Sequence, residues 1–205
     1  MKKAAITFFE ENVMTAASVL TQMIRLHQII CGHVKTDDGE IKSIKSNRIK
    51  ELLEVLEETN GKVIIWAVYR YDIQEIERTL GEKYGKESVA TYYGDTKDSI
   101  RQSIVDRFMD ADDPLRFFVG NPKTGGYGLT LTSSHTVVYY SNDYSLEVRL
   151  QSEDRAHRIG QTSKVTYVDL MADHTIDERI VKALNAKIDL ASQVMGEDPK
   201  KILFG

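Results

Sequence analysis

The chain has 205 residues, 41% of them hydrophobic and 28% charged, with a formal net charge of -4. That is enough for one domain with a sizeable core plus appendages, and the acidic balance excludes a binder that holds nucleic acid by bulk basic charge, though not a local basic groove. One cysteine, Cys31, excludes a disulfide framework and a cluster of Cys metal ligands; with no membrane-length apolar run and no signal-type core after Met1-Lys2-Lys3, a soluble protein of a reducing cytoplasm without membrane association is expected.

Apolar residues near helical spacing (Val13, Ala16, Ala17, Leu20, Met23, Ile24, His27) predict a helix over 11–30, stopped at Cys31-Gly32. Thr36-Asp37-Asp38-Gly39-Glu40 reads as a turn or hairpin tip. A second helix is predicted from Ser46 to Thr59, with Ile49, Leu52, Leu53 and Leu56 inward and Asn60-Gly61 as its stop. The period then changes. Lys62 to Val68 is a nearly continuous apolar run, as expected for a strand buried on both faces. A helix carrying Ile73, Ile76 and Leu80 follows, then a strand at Val89 to Tyr93 and a helix carrying Ile100, Ile104, Val105 and Phe108. Further strands are predicted at Leu115 to Val119, Thr136 to Tyr140 and Lys164 to Leu170, and Thr175-Ile176-Asp177-Glu178 fits a capping box opening a C-terminal helix. Alternating strand and helix predicts an α/β fold, a mostly parallel sheet flanked by helices on both faces.

Open parallel sheets bind ligands beyond the C-terminal ends of their strands. Three segments fall there: Tyr69-Arg70, Tyr93-Gly94-Asp95-Thr96-Lys97 and the loop Gly120 to Thr130. The last has Gly125, Gly126 and Gly128 within four residues, so its backbone can turn tightly and come close to a ligand. With Lys123 and the Thr124 hydroxyl it suits a phosphate, or else is a structural turn with a surface lysine. It is not a nucleotide-binding P-loop, because the order is Lys-Thr-Gly-Gly and no Gly-x-x-x-x-Gly-Lys-Ser/Thr occurs in the chain. The five histidines are dispersed without paired ligand spacing and predict no metal site. Ser133-Ser134-His135 makes no nucleophile elbow, and Trp66 inside an apolar run is most simply core.

The densest charged stretch is Gln151-Ser152-Glu153-Asp154-Arg155-Ala156-His157-Arg158-Ile159-Gly160-Gln161. On a helix, Gln151, Arg155 and Arg158 would share one face, with Gly160 as the C-cap. Two guanidiniums side by side call for an anion, and their planar forks match phosphate oxygens. On charge alone the stretch reads equally well as a solvated helix end on which Glu153 and Asp154 neutralise the arginines.

Together these segments resemble the second motor lobe of a Swi/Snf-type ATPase of helicase superfamily two. Residues 151–161 look like that family's sixth helicase motif almost letter for letter, and Lys123 to Thr132 is similar to the fifth. Val63 to Val68 resembles the fourth, Tyr93-Gly94-Asp95-Thr96 with Arg101 and Phe108 the segment after it, and Leu26 to Cys31 the helix leading into the lobe. The resemblance implies a RecA-like lobe without its own P-loop, with residues 1–60 forming lead-in helices packed on a lobe of residues 61–205. It also implies ATP bound between this lobe and an N-terminal RecA-like lobe of the same protein, which would hold most of the Mg2+ shell. Carried over residue by residue, Arg158 would be the arginine finger and Arg155 its partner, both stabilising charge on the transferring phosphoryl group, while Gln151 orders the site and Gly128 lets the backbone approach the nucleotide. Lys123, Thr124 and Gly125 would contact the phosphate backbone of double-stranded or branched DNA, with Arg70 and Lys97 named on loop position and charge.

Two positions depart from the common pattern. Thr130 stands where many members have asparagine, as in annealing-type helicases, and Tyr144-Ser145 replaces a frequent tryptophan-containing turn. Short connections between motifs favour a bacterial or phage translocase. Without a phosphate loop or an acidic metal-binding box in these 205 residues, the chain alone is expected to hydrolyse no ATP. The alternatives are an RNA helicase lobe of the DEAD-box kind, and a non-catalytic nucleic-acid-binding or scaffold domain on the same fold.

Overall fold

A computed structural model describes residues 7–9, 12–14, 19–124, 129–158, 161 and 163–195. The described residues begin with an antiparallel pair, β1 (Thr7–Phe9) and β2 (Asn12–Met14), and α1, the first helix among them, runs Val19–Cys31. The helix expected from residue 11 is therefore corrected: the backbone of 12–14 is committed to the ladder pairing Phe8 with Val13. At the other end Gly32 adopts φ +96° and closes α1 where a side chain would be strained. The turn expected at 36–40 is a hairpin tip between β3 (His33–Lys35) and β4 (Ile41–Ser43). The second helix, α2, spans Arg48–Glu57.

Then come β5 (Lys62–Trp66), α3 (Arg70–Tyr84), β6 (Val89–Tyr92), α4 (Asp98–Met109), β7 (Phe117–Gly120) and β8 (Ser134–Tyr139). The chain continues through α5 (Leu146–Asp154), β9 (Thr166–Asp169) and α6 (Ile176–Met195). Strands β5 to β9 form one sheet in the order β6-β7-β5-β8-β9, every neighbouring pair parallel.

The apolar run of β5 is continuous because both of its faces are covered. Val63 and Ile65 pack with Leu52 and Leu56 of α2 and with Ile73, Ile76 and Leu80 of α3. Ile64 and Trp66 point the other way, into Ile104, Val105 and Phe108 of α4, with Leu131 and Ala156. At the end of β7, a Cβ on Gly120 would lie 2.8 Å from the Trp66 ring and 3.0 Å from the Tyr92 carbonyl, so only glycine lets β7 sit there. Ile176, Ile180 and Leu184 of α6 make a third cluster with Met23 and Ile30 of α1. At the start of α6 the Thr175 hydroxyl accepts from the Asp177 N–H (3.2 Å) and Glu178 accepts from the His174 N–H (2.9 Å), a shifted form of the expected capping box. No helix of the described residues is long and apolar enough to cross a membrane.

Candidate functional site

The order β6-β7-β5-β8-β9 puts β5 at the switch point, so the loops after β5, β7 and β8 converge beyond its C-terminal end. They are stitched by their own polar groups. Asn121 donates from Nδ2 to the Val68 carbonyl at 2.8 Å, and the Val68 N–H donates to Ser141 Oγ at 2.9 Å. Asn121 Oδ1 also accepts the Lys123 N–H at 2.9 Å, and the Thr124 N–H reaches the Asn121 carbonyl at 3.0 Å. Lys123 and Thr124 are thereby held at the edge of the sheet, with Lys123 Nζ 2.7 Å from Asp143 Oδ2. Arg70 at the start of α3 pairs with Asp95 and lies over the Tyr93 ring, joining the loops after β5 and β6. Lys97 is exposed at the N-cap of α4. Gly125 and Gly128 lie outside the described residues.

A second cationic patch lies on the flank of the sheet where Leu131 and Ala156 pack. Here the expected common helix face is corrected. Helix α5 ends at Asp154, so Gln151 is helical while Arg155 and Arg158 sit in the turn beyond it. Competing hydrogen bonds stop the helix: the Arg155 carbonyl accepts from Leu131 N at 2.8 Å, and the Ala156 carbonyl accepts from Gln161 Nε2 at 3.1 Å. Gln161 Nε2 also lies 3.0 Å from the Thr132 carbonyl and 3.1 Å from that of Ser134, tying the turn to the strand β8 entrance. Gly160, the expected C-cap, is outside the described residues.

The turn aims both arginines at the far end of the glycine-rich loop. Arg155 is buried, with Nη1 3.5 Å from the Leu129 carbonyl. Burial pushes its pKa down, as does neighbouring Arg158, while Asp154 opposes the shift. The Arg158 side chain is 40% exposed; Nε lies 3.3 Å from Asp154 Oδ2 and Nη1 3.4 Å from Thr130 Oγ1. The two arginines thus differ: Arg155 is built into the turn, and Arg158 presents a guanidinium to solvent. Gln151 Nε2 reaches back to Glu147 at 3.1 Å. Asp154 does neutralise Arg158, but Glu153 pairs with Arg149. Exposed His157 lies between the arginines. Among the described residues, no three His, Cys, Asp or Glu side chains gather as metal ligands.

Two buried polar clusters support these patches, and sequence reading found neither. Arg149 of α5 bonds Asp169 twice (2.5 and 3.2 Å), Glu153 (2.7 Å) and Asn142 (2.8 Å), and lies 3.6 Å over the Tyr139 ring. Burial opposes its charge, but Tyr139, Asp169 and Glu153 outweigh burial and hold its pKa above the usual arginine value. Arg48 of α2 pairs with Asp177 of α6 and donates to the Tyr140 and Leu170 carbonyls. His27 Nε2 lies 3.5 Å from the same Asp177, and its Nδ1 is 3.0 Å from the Tyr69 hydroxyl. Apart from the local Arg149–Glu153 pair, these contacts join separate elements, with Arg48 and Asp177 as far as 129 residues apart, and no local pattern announces them.

Residues 44–160 match the family described as the helicase conserved C-terminal domain. The chain belongs to that family. Over 196 residues this helicase C-terminal domain is 30% identical to the ATP-dependent helicase fft2 of Schizosaccharomyces pombe, covering 95% of this chain and 15% of that protein. Over 160 residues it is 31% identical to the chromatin-remodeling ATPase INO80 of Homo sapiens, covering 78% of this chain and 10% of that one. Among solved structures, the C-terminal part of the Fun30 ATPase domain matches with a TM-score of 0.62 and 26% identity, over 68% of this chain and 46% of that one. The expected second RecA-like lobe of a Swi/Snf-type motor agrees with these relatives and with the parallel sheet. The domain spans only 10% to 15% of the length of those two curated relatives.

Proposed function

We propose that this domain is the second lobe of an ATP-driven DNA translocase and supplies cations to two different phosphates. The observation that carries the reading is the turn after α5, which sets buried Arg155 and half-exposed Arg158 against Leu129 and Thr130, at the end of the glycine-rich loop. Arg158 is the finger that leans on the terminal phosphate of ATP as charge builds there, and Arg155 fixes the turn from which it reaches. Gln151 and the Gly128 backbone border the nucleotide. The two guanidiniums on this side suit phosphate oxygens and repel a cation, so Mg2+ falls mainly to the first lobe. Residues 1–60 serve as the lead-in to the lobe of residues 61–205.

The edge patch has the other role. Lys123, Thr124 and Gly125, with Arg70 and Lys97 to either side, contact the DNA backbone without reading sequence. One loop thus has its start, Lys123 and Thr124, at the edge patch and its end, Leu129 and Thr130, at the arginine turn. The test joins this domain to a first RecA-like lobe bearing a phosphate loop and compares DNA-stimulated ATP turnover. Arg158→Ala should lower turnover about 10³-fold with DNA affinity retained. Unchanged turnover would remove Arg158 from the site.

A further inference from the structure

Lys123 reaches from the loop after β7 to Asp143, in the loop after β8, and the two partners are unlike: the lysine side chain is 57% exposed and the aspartate 19%. Asp143 is also fixed. Its Oδ1 accepts the Ser145 N–H at 2.9 Å, and Ser145 caps α5 by accepting the Val148 N–H at 3.3 Å. The lysine head is therefore the movable part and the carboxylate the stationary one. Such a carboxylate acts on an incoming phosphate through the lysine: it occupies the ammonium donors that the phosphate would take. The Arg70–Asp95 pair is different, with both side chains about half exposed (56% and 49%), where ion pairs contribute little.

We propose that Asp143 is a built-in competitor for the nucleic-acid backbone: it neutralises Lys123 in the free domain, must be displaced by a phosphate, and so sets the strength and salt sensitivity of that contact. This rests on the reading that Lys123 meets a DNA phosphate. A contact remade at every step of translocation has to be weak, and a lysine already neutralised gains little at each encounter.

The test measures binding of the full chain to a short labelled duplex by fluorescence anisotropy over a range of salt. Asp143→Asn removes the charge but keeps an oxygen for the Ser145 N–H. It should bind about three- to fivefold more tightly, the scale of a weak ion pair, and steepen the slope of log K against log salt by about one. Asp112→Asn, in the exposed loop before β7 at the opposite end of the strands, makes the same change in net charge and should leave affinity unchanged. Lys123→Ala should weaken binding, and Asp143→Asn added to it should recover nothing. Thermal unfolding checks each variant; if Asp143→Asn unfolds early, Asp143→Ser carries the same expectation. Equal gains from Asp143→Asn and Asp112→Asn, or a gain that survives Lys123→Ala, would overturn the proposal. If Lys123→Ala weakens binding but Asp143→Asn brings no gain, the competitor role fails and the lysine contact stands. If Lys123→Ala and Thr124→Ala both bind normally, the reading of the edge patch fails, and the proposal with it.

Discussion

Replacing Arg149 with alanine should do more damage than removing any exposed cation of this domain. The side chain satisfies Asp169 twice, Glu153 and Asn142, and stacks 3.6 Å over Tyr139. Taking one partner from a buried ion pair costs about 3–5 kcal/mol, because the charge left behind stays desolvated. Asp169 is 21% exposed and keeps a 2.7 Å hydrogen bond from Asn142, which favours the lower part of that range. Loss of the stacked cation adds about 1 kcal/mol. The expected loss is about 4 kcal/mol at pH 7, which for a chain of this size lowers Tm by about 8–16 °C. Urea unfolding followed by circular dichroism measures it. Arg149→Lys should lose about half as much, because one ammonium cannot hold Asp169 with two donors. A loss below about 1 kcal/mol at pH 7 would refute the clamp.

Three more outcomes follow from other clusters. Burial holds His27 down at about pKa 4, so it stays neutral in the folded domain while an unfolded chain takes up its proton near pH 6.5. The unfolded state then binds more protons between those values, and stability should fall as pH drops from 6.5 toward 4, by about 1.4 kcal/mol per unit. His27→Gln should flatten that part of the profile, and an unaltered slope would contradict the assignment. Arg48→Ala leaves Asp177 buried without its guanidinium and should cost about 3–5 kcal/mol in urea unfolding; a cost below about 1 kcal/mol would mean that the cluster does not hold α2 to α6. Gln161→Ala removes the amide bridging three carbonyls and should cost about 1–3 kcal/mol. Hydrogen exchange at the Leu131 amide, which bonds the Arg155 carbonyl, should quicken, and unchanged protection would mean the arginine turn holds without Gln161.

Much of the architecture is legible in the chain because it depends on local period. The nearly continuous apolar run at Lys62 to Val68 is what a strand covered on both sides requires, and β5 is that strand, with α2 and α3 on one face and α4 on the other. The arginine stretch and the glycine-rich loop are legible for a related reason, since their chemistry is written in adjacent letters. Helix ends fared worse. Nothing near Gln151 says that α5 stops at Asp154, because the groups that stop it, Leu131 N and the Gln161 amide, come from the segment before β8 and from beyond the turn. Likewise the pattern at Val13 and Ala16 favours a helix until Phe8 pairs with Val13.

By itself, then, the sequence determined the five strands of the sheet, the helices α2, α3, α4 and α6, and that the sheet is mostly parallel, and its resemblance to a helicase-type second lobe singled out two arginines and a glycine-rich loop. The elements follow from residue spacing, to which backbone geometry responds within a few turns, and the kind of lobe from the resemblance of its motifs. Only the tertiary structure decided the strand order β6-β7-β5-β8-β9, the difference between buried Arg155 and exposed Arg158, and the pairing of Lys123 with Asp143. Each of these depends on which donor finds which acceptor across a long stretch of chain, and a polar group's partner is chosen by packing.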